Sequence, residues 1–381
     1  MRPGRRFTAL ALLFVIPSFQ ITPAFAEPQP RSEEWWFDAW QIREKVWPLT
    51  QGEGIVVAVI DTGIEAGLPD LNGVVLPGYE YGGSQKGDGR HDYDTEKGGH
   101  GTAMAALIAG QGIGSGMVGI APKVRVLPIA AHSVNDALTI RYAVDHGAKV
   151  INMSWSSAAA HCPVSTQTAV NYALQHDVVI VAAAGNQGNS RESSNSPANC
   201  AGVMAVGAVD ADLNIWEKST PGSNVVIAAP GVSVGSIGKD GTFNWKVNGT
   251  SQATALTSGV VALVRSRYPK MSAREVTQRV VATAKDIGPK GWDRRSGQGA
   301  LIPYLALDAH VPASAPNPVY SRFDQRKSLP NASHPSPSMG SRKQNEVNDD
   351  DDRIPVAFVG VLAGPGLVAV IGFFVWMRRK K

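Results

Sequence analysis

The chain has 381 residues, of which 43% are hydrophobic and 18% are charged, and this is the composition of an ordinary globular protein. Its formal net charge of +4 is misleading, because seven of the 36 basic residues lie in the two terminal segments. The remaining 29 basic residues are outnumbered by 32 acidic residues. Nucleic-acid binding requires clustered Lys and Arg, so the composition argues against it.

Residues 1–26 have the features of a secretory signal peptide. Three arginines precede the apolar run 10–16, and Ala24-Phe25-Ala26 supplies small residues at a suitable cleavage spacing. The mature protein is expected to begin near Glu27. An uncleaved N-terminal anchor helix is the alternative, but Pro17 and the short apolar run argue against it.

Strand patterns alternate with helix patterns between residues 53 and 309. The run 55–60 is almost wholly apolar and rich in β-branched residues, as in a strand buried on both faces of a parallel sheet. We predict an α/β fold, with a doubly wound parallel sheet and helices on both faces. Further strands are predicted at 124–129, 149–153, 178–183, 203–209 and 225–229, and helices near 100–110, 135–146, 164–176 and 252–268.

Several polar residues follow predicted strands directly. In a sheet of this kind, ligands gather outside the carboxyl ends of the strands. Asp61 ends the first strand, and the turns Asn152-Met153-Ser154 and Ala184-Gly185-Asn186 end two others. A peptide substrate is expected to dock as an added strand along an edge near Ser154 and Gly185, a mode that depends mainly on the main chain of the substrate.

Three short motifs together indicate a serine protease. They are Asp61-Thr62-Gly63, His100-Gly101-Thr102-Ala103 and Gly249-Thr250-Ser251. Alone, each residue has an ordinary explanation, such as a turn cap or a surface histidine. Together they supply a nucleophile (Ser251), a general base and then acid (His100), and a carboxylate that orients the imidazole (Asp61). Ser251 also begins a predicted helix, which places its backbone N–H near the developing oxyanion.

The loop His91-Asp92-Tyr93-Asp94 contains possible metal ligands. It lies in a Gly-rich and charge-rich segment and lacks a complete ligand set at a recognisable spacing. We therefore predict a solvated loop and no metal site.

Cys162 and Cys200 are the only cysteines. An exported chain enters a compartment that permits disulfides, so we predict that they pair. Two free buried thiols are the alternative.

The end of the chain is predicted to be a membrane anchor. Residues 310–353 are rich in Pro, Ser and Asp, which predicts a disordered linker. Residues 354–377 carry no charge, and as a helix they would extend roughly 36 Å, enough to cross a bilayer. The basic tail 378–381 should stay cytoplasmic. The predicted topology is single-pass type I, with the catalytic domain outside the cell membrane.

The three motifs, in the order Asp, His, Ser, resemble those of the subtilase family. The resemblance implies a subtilisin-like fold and an endopeptidase that works through an acyl-enzyme without a cofactor. It also implies that Asn186 is the second oxyanion donor, and structural calcium is conceivable from the resemblance alone. Gln252 replaces the aromatic residue or Met common after the nucleophile, and Ala255 replaces a usual Pro, so the local helix geometry is expected to differ slightly.

Within the subtilases, the chain resembles the mycosins, which are membrane-anchored proteases associated with type VII secretion. The resemblance rests on the signal peptide, the Trp-rich extension 27–52, Ala103 where most secreted subtilases have a second His, the cysteine pair, the linker and the anchor. It implies that the extension wraps around the peptidase domain 53–309 and leaves the cleft open, with Trp35, Trp36 and Trp40 in apolar contact. The extension is too short to form a core of its own. A further cysteine pair known in some mycosins is absent.

These patterns predict a membrane-anchored serine endopeptidase that acts on protein or peptide substrates at the outer face of the cell membrane. Its expected partner is a type VII secretion membrane complex. Two alternatives remain open. The domain could be mainly a structural component of that complex, or a general degradative protease of the cell surface.

Overall fold

The structure is a computed structural model, and it describes residues 28–82, 87–95, 98–131, 135–188 and 194–328. The predicted signal peptide, the predicted transmembrane helix 354–377 and the basic tail lie outside these residues. Within the described ranges, no helix is both long enough and apolar enough to span a membrane.

A parallel sheet of seven strands forms the centre of the described chain, in the order β2-β3-β1-β4-β6-β8-β9. Two short antiparallel ribbons, β5 with β7 and β10 with β11, lie outside it. The predicted strands are all present, with ends that differ by no more than two residues. The described strands are β1 (Val56–Asp61), β2 (Tyr79–Tyr81), β3 (Arg125–Ala131), β4 (Val150–Met153), β5 (Ser157–Ala158), β6 (Val179–Ala183), β7 (Asn195–Ser196), β8 (Val203–Val209), β9 (Val225–Pro230), β10 (Ser236–Ile237) and β11 (Phe243–Asn244).

Helices cover both faces of the sheet, as the strand pattern predicts. Alternate residues of β1 enter two separate cores, Val57 and Val59 on one face and Ala58 and Ile60 on the other. The first core contains residues of α2 and α5, and the second contains residues of α3 and α4. The described α-helices are α1 (Trp36–Ala39), α2 (His100–Ala109), α3 (Asp136–Asp145), α4 (Val164–Gln175), α5 (Thr250–Arg267), α6 (Ala273–Ala282), α7 (Pro303–Asp308) and α8 (Pro318–Ser328), and a short π-helix (Ile42–Val46) and a 3-10 turn (Pro69–Leu71) accompany them.

Helix α5 is buried along nearly its whole length, from Thr250 to Arg265. A Cβ on Gly259 would lie 2.2 Å from Cγ2 of Ile120, so only glycine allows this close approach. Ala255, at the position where the family usually has Pro, is fully buried within the helix. The nucleophile candidate Ser251 is therefore carried by one of the most enclosed elements of the fold.

The segment 28–52 packs against the α/β domain. Trp36, Phe37 and Trp47 are buried in the first core, and the indole Nε1 of Trp47 donates to the carbonyl oxygen of Ile120 at 3.0 Å. Trp40 is also buried. Trp35 is partly buried and packs against the same core, so the expected apolar contact is present for Trp35, Trp36 and Trp40.

The C-terminal part of the packed domain extends further than the sequence predicts. Residues 318–328 belong to the predicted linker, yet they form α8. Val319, Tyr320 and Phe323, spaced as on one face of a helix, are buried in the first core. Because Pro and Ser surround this short apolar pattern, the composition of the segment predicts disorder. The predicted domain end at residue 309 is therefore too early.

Cys162 and Cys200 form the predicted disulfide, with their Cα atoms 4.9 Å apart. Cys200 is fully buried beside the second core. The bridge joins the segment before α4 to the turn before β8, across 38 residues of chain.

Candidate active site

The fold brings Asp61, His100 and Ser251 to one cleft of about 590 Å³. Asp61 is the last residue of β1, His100 is the first of α2, and Ser251 is the second of α5. Ser154, which follows β4, and Asn186, which follows β6, also line this cleft. The carboxyl ends of neighbouring parallel strands meet at one edge, and this explains why residues far apart in sequence converge there.

A short hydrogen bond joins Asp61 to His100. Oδ1 of Asp61 lies 2.7 Å from Nδ1 of His100 and also accepts the backbone N–H of Thr62 at 2.9 Å. An ionised carboxylate only accepts hydrogen bonds, so Nδ1 carries the hydrogen and Nε2 is left to take a proton. Asp61 is 7% exposed, and a buried carboxylate in this position stabilises the imidazolium that forms during catalysis.

Asp92 links the two chain segments that carry this pair. Its Oδ1 accepts the hydroxyl of Thr62 at 2.8 Å, and its Oδ2 accepts the backbone N–H of Thr102 at 2.9 Å. The hydroxyl of Thr62 in turn accepts the N–H of Gly101 at 2.9 Å. A Cβ on Gly101 would lie 2.1 Å from the carbonyl oxygen of Gly63, so the start of α2 rests directly on the end of β1.

The loop around Asp92 differs from the prediction of a solvated segment. Asp92 is fully buried, and Asp94 is 8% exposed. Oδ2 of Asp94 accepts the N–H groups of Gly99 and His100, at 3.2 and 2.9 Å. Both carboxylates satisfy donors at the start of α2, where negative charge is favoured. Among the described residues, no group of three His, Cys, Asp or Glu side chains is placed to hold a metal ion.

Ser251 is held above a buried polar network. Its hydroxyl donates to the carbonyl oxygen of Ser154 at 2.7 Å, and the hydroxyl of Ser154 donates to the carbonyl oxygen of Ser251 at 3.0 Å. Asn152 lies beneath, donating to Ser154 and accepting from Ser258. These bonds fix the first turn of α5 against the end of β4.

Asn186 is exposed at the cleft and oriented by Thr250. Its Oδ1 accepts the backbone N–H of Thr250 at 3.0 Å and the hydroxyl of Thr250 at 2.8 Å. With the amide oxygen occupied, the Nδ2 group is available to donate elsewhere. Gly185 is buried below the cleft floor and is not among the lining residues. At φ +110°, a Cβ on Gly185 would lie 2.3 Å from Nδ2 of Asn195, so glycine is required there.

Tyr93 stands at the rim of the cleft as a neutral group. Its hydroxyl donates to Oε2 of Glu80 at 2.7 Å, and this hydrogen bond to a carboxylate raises the pKa of Tyr93.

Sequence reasoning missed four residues that hold the site together: Thr62, Asp92, Asp94 and Thr250. Two of them, Thr62 and Thr250, lie inside the recognised motifs. The sequence does contain a signal for these two threonines, because a side chain with a hydroxyl group directly follows Asp61 and another directly precedes Ser251. The burial of Asp92 depends on contacts with residues 62 and 102, and local composition does not contain that information.

Comparisons with known proteins agree with this geometry. The model of the Subtilase family matches residues 52–299. Fervidolysin of Fervidobacterium pennivorans is 31% identical over 316 residues, covering 74% of this chain and 44% of that protein. Mycosin-3 of Mycobacterium tuberculosis is 33% identical over 334 residues, covering 70% of each chain.

Solved structures show the same relationship. The MycP3 protease from the type VII (ESX-3) secretion system superposes with a TM-score of 0.63 at 30% identity, covering 76% of this chain and 90% of that one. MycP1 from Mycobacterium smegmatis gives a TM-score of 0.65 at 29% identity, covering 78% and 89%. The family match spans more than half of the chain and contains all three triad residues. The chain therefore belongs to the subtilase family of serine proteases.

Proposed function

We propose that the protein is a serine endopeptidase that cleaves peptide bonds with Ser251 as its nucleophile. The observation that carries the proposal is the 2.7 Å pairing of Asp61 with His100 in the cleft that also contains Ser251 and Asn186. A nucleophile, a base and an orienting carboxylate in one partly enclosed site are the components of acyl transfer.

The reaction proceeds in two halves. Ser251 Oγ attacks the carbonyl carbon as Nε2 of His100 takes its proton, and Asp61 stabilises the resulting imidazolium. The oxyanion receives hydrogen bonds from the backbone N–H of Ser251 and from Nδ2 of Asn186. His100 then gives its proton to the leaving amine. Water attacks the acyl-enzyme in the same way and restores Ser251.

The substrate lies as an extended strand at the cleft edge near Ser154. Ser154, Trp155 and Ser156 line the cleft in the segment between β4 and β5. Main-chain hydrogen bonds along such an edge hold the scissile carbonyl above Ser251. Gly185 contributes to this arrangement indirectly. Its N–H donates to the hydroxyl of Thr250, and that hydroxyl orients Asn186.

Replacing Ser251 with Ala tests the proposal. We expect hydrolysis of peptide esters and amides by the full-length chain to fall by at least about 10³-fold with folding unchanged. A fluorophosphonate reagent should label the wild type at Ser251 and leave Ser251→Ala unlabelled. Ser266→Ala, at the far end of α5, is the control and should keep wild-type activity. Wild-type activity in Ser251→Ala would overturn the proposal.

We also propose that the enzyme is held at the outer face of the cell membrane and works with a type VII secretion complex. Support comes from the uncharged span 354–377 with its basic tail and from the similarity to Mycosin-3. The full chain should fractionate with membranes and be accessible to added protease on intact cells. A chain ending at Ser328 should be released.

The role of proteolysis in secretion is tested in a strain that lacks the protein. Supplying Ser251→Ala in place of the wild type should abolish export of type VII substrates if cleavage is required. Normal export with a folded, membrane-bound mutant would favour the structural role. Broad activity of the wild type on unfolded proteins such as casein would favour a general degradative protease.

A further inference from the structure

A pocket of about 520 Å³ lies between α8 and the segments that the disulfide joins. We call it the arginine pocket and define it by Arg322 and Arg326 of α8 and by Ser194, Asn199 and Ser223. Among the described residues, none lines both this pocket and the catalytic cleft. Its polar groups therefore need an explanation separate from peptide-bond cleavage.

Arg322 is a partly buried cation without a carboxylate partner among the described residues. Its Nη1 and Nη2 groups donate to the backbone carbonyl oxygens of Asn224, at 3.5 Å, and Asn199, at 3.1 Å. A guanidinium has five N–H donors, so three remain after these two bonds. Burial lowers the pKa of Arg322. Because a buried cation without an opposite charge is costly, an anion in the pocket would offset that cost.

A second arginine on the same face of α8 adds to the positive charge. Arg326 follows Arg322 by four positions, which places both side chains on one side of the helix, and both line the pocket. Asp324, the acidic residue of α8, does not neutralise them, because its two oxygens accept hydrogen bonds from Arg274, each at 2.8 Å. No Asp or Glu is among the described residues that line the pocket.

Hydroxyl groups on the other walls supply neutral donors. Oγ of Ser194 accepts a hydrogen bond from Nδ2 of Asn199 at 2.9 Å, so its own hydrogen is available to donate. Ser223 is exposed and also lines the pocket. A phosphate group carries a charge of about −1.5 to −2 at pH 7 and three strong acceptor oxygens. Two guanidinium groups and two hydroxyls match that charge and that number of acceptors, whereas one guanidinium already satisfies a carboxylate.

The donors of the pocket are held by a fixed framework. The disulfide between Cys162 and Cys200 links two of its walls. Nδ2 of Asn199 also donates to the carbonyl oxygen of Ala159 at 2.9 Å. The apolar face of α8 is buried in the first core, which fixes the helix that carries both arginines. A site whose donors are already in place loses little conformational freedom when a ligand binds.

We propose that the arginine pocket binds a phosphate group, held by the guanidinium groups of Arg322 and Arg326 and by the hydroxyls of Ser194 and Ser223. Two sources supply this chemistry: inorganic phosphate and the headgroup of an anionic phospholipid. The site shares no described lining residue with the catalytic cleft, so it stands independently of the endopeptidase function.

Protection of the two arginines from chemical modification measures binding at this site. The full-length chain, in dodecyl maltoside and a phosphate-free buffer, is treated with phenylglyoxal, and mass spectrometry follows the modification of each arginine. Inorganic phosphate is titrated at an ionic strength held constant with chloride. We expect phosphate to protect Arg322 and Arg326 together, at one half-protection concentration. Arg43, which is exposed and lies outside the pocket, should react at an unchanged rate.

Each arginine reports on the loss of the other. In Arg326→Gln, the half-protection concentration measured at Arg322 should rise roughly 10- to 100-fold, as expected for the loss of a charge-assisted hydrogen bond. Arg322→Gln should have a similar effect on protection of Arg326. Lys327→Gln is the matched control, because it removes one positive charge from the same helix at a residue outside the pocket. It should stay within about 2-fold of the wild type, since exposed charges are largely screened by salt.

Nanodiscs distinguish the two sources of the phosphate group. The full-length chain is reconstituted in nanodiscs of a phosphate-free galactolipid, with and without phosphatidylglycerol. Protection of both arginines by phosphatidylglycerol alone would identify the lipid headgroup as the ligand. Protection that requires added inorganic phosphate in both kinds of nanodisc would identify free phosphate. Either result supports the arginine pocket as a phosphate site.

Other results would overturn the proposal. Arg322 and Arg326 that are protected no better than Arg43, or an unchanged half-protection concentration in Arg326→Gln, would show that the pocket does not bind phosphate. Equal weakening by Lys327→Gln would show an effect of net charge alone. Acetate that protects at the same concentration as phosphate would show a site without selectivity for phosphate.

Discussion

The two carboxylate oxygens of Asp92 accept hydrogen bonds from different parts of the chain: the segment that carries Asp61 and the helix that carries His100. One oxygen accepts from Thr62 in a partly buried bond, and the other accepts from Thr102 in a buried bond. A buried carboxylate with several charge-assisted hydrogen bonds is a rigid link. The distance between Asp61 and His100 therefore depends on a residue that belongs to neither of their motifs.

Replacing Thr62 with Val should remove the hydrogen bond between Asp92 and the residue that follows β1, while the shape of the side chain is preserved. Loss of a hydrogen bond to a buried carboxylate corresponds to about 1.5–3 kcal/mol. If the lost hydrogen bond stabilises mainly the transition state, kcat falls roughly 10- to 100-fold with little change in KM. Thr62→Ser keeps the hydroxyl and should stay within about 3-fold of the wild type.

Steady-state kinetics and thermal unfolding distinguish positioning from stability. A purely structural role for Thr62 predicts a lower melting temperature with normal kcat below the transition. Equal kinetic loss in Thr62→Ser and Thr62→Val would also contradict the positioning role, because only one of these variants removes the hydroxyl.

The N-terminal segment illustrates how an element contributes beyond its apolar contacts. Glu34 is 2% exposed, and its carboxylate accepts the N–H groups of Arg31, at 2.7 Å, and of Val118, at 3.2 Å. Burial raises the pKa of Glu34 to about 8 and outweighs the effect of these two donors. The side chain is therefore mostly protonated at neutral pH, and it fastens the segment to the loop before β3.

The raised pKa of Glu34 predicts that stability falls as the pH rises. Between about pH 4.5 and about pH 8 the folded state holds a proton that the unfolded chain releases, so alkali favours unfolding. The loss across this window is at most roughly 5 kcal/mol. Glu34→Gln should remove most of this slope when the free energy of unfolding is measured in urea from pH 5.5 to 8.5.

Glu33→Gln is the matched control for this measurement. Glu33 is partly exposed, and the hydrogen bond from Arg31 lowers its pKa, so its contribution is lost only in acid. Glu33→Gln should keep the wild-type slope above pH 5.5. A Glu34→Gln variant with the same slope as the wild type would show that Glu34 is not the titrating group.

At the scale of the whole molecule, the sequence predicts the sheet well and the periphery poorly. The strands that contain near-continuous apolar runs, such as β1 and β8, are found within two residues of the prediction. By contrast, α8 depends on Val319, Tyr320 and Phe323 reaching a core built by distant residues, and a Pro-rich composition conceals that.

The same division applies to the active site. The motifs place Asp61, His100, Ser251 and Asn186 at one edge of the sheet, and the structure brings them together in one cleft. The neighbouring cleft, which His100 also lines, is different, because it lies between α2 and a ribbon formed by β10 and β11. Two-residue strands leave almost no periodic signal.

The disulfide stabilises the molecule as a whole. It closes a loop of 38 residues, and the chain-entropy model gives roughly 4 kcal/mol of destabilisation of the unfolded state. The double variant Cys162→Ser with Cys200→Ser should lower the free energy of unfolding by about that amount in denaturant titrations. Hydrolysis by the folded variant should be unchanged, since neither sulfur lines the cleft. An unfolding free energy equal to that of the wild type would contradict this account.

The position of the N-terminal segment has a consequence for access to the active site. Residues 28–52 bury Trp36, Trp40 and Trp47 in the first core, and none of the residues 28–52 lines the catalytic cleft. The segment therefore stabilises the domain from a place where it leaves the entrance to the cleft unobstructed.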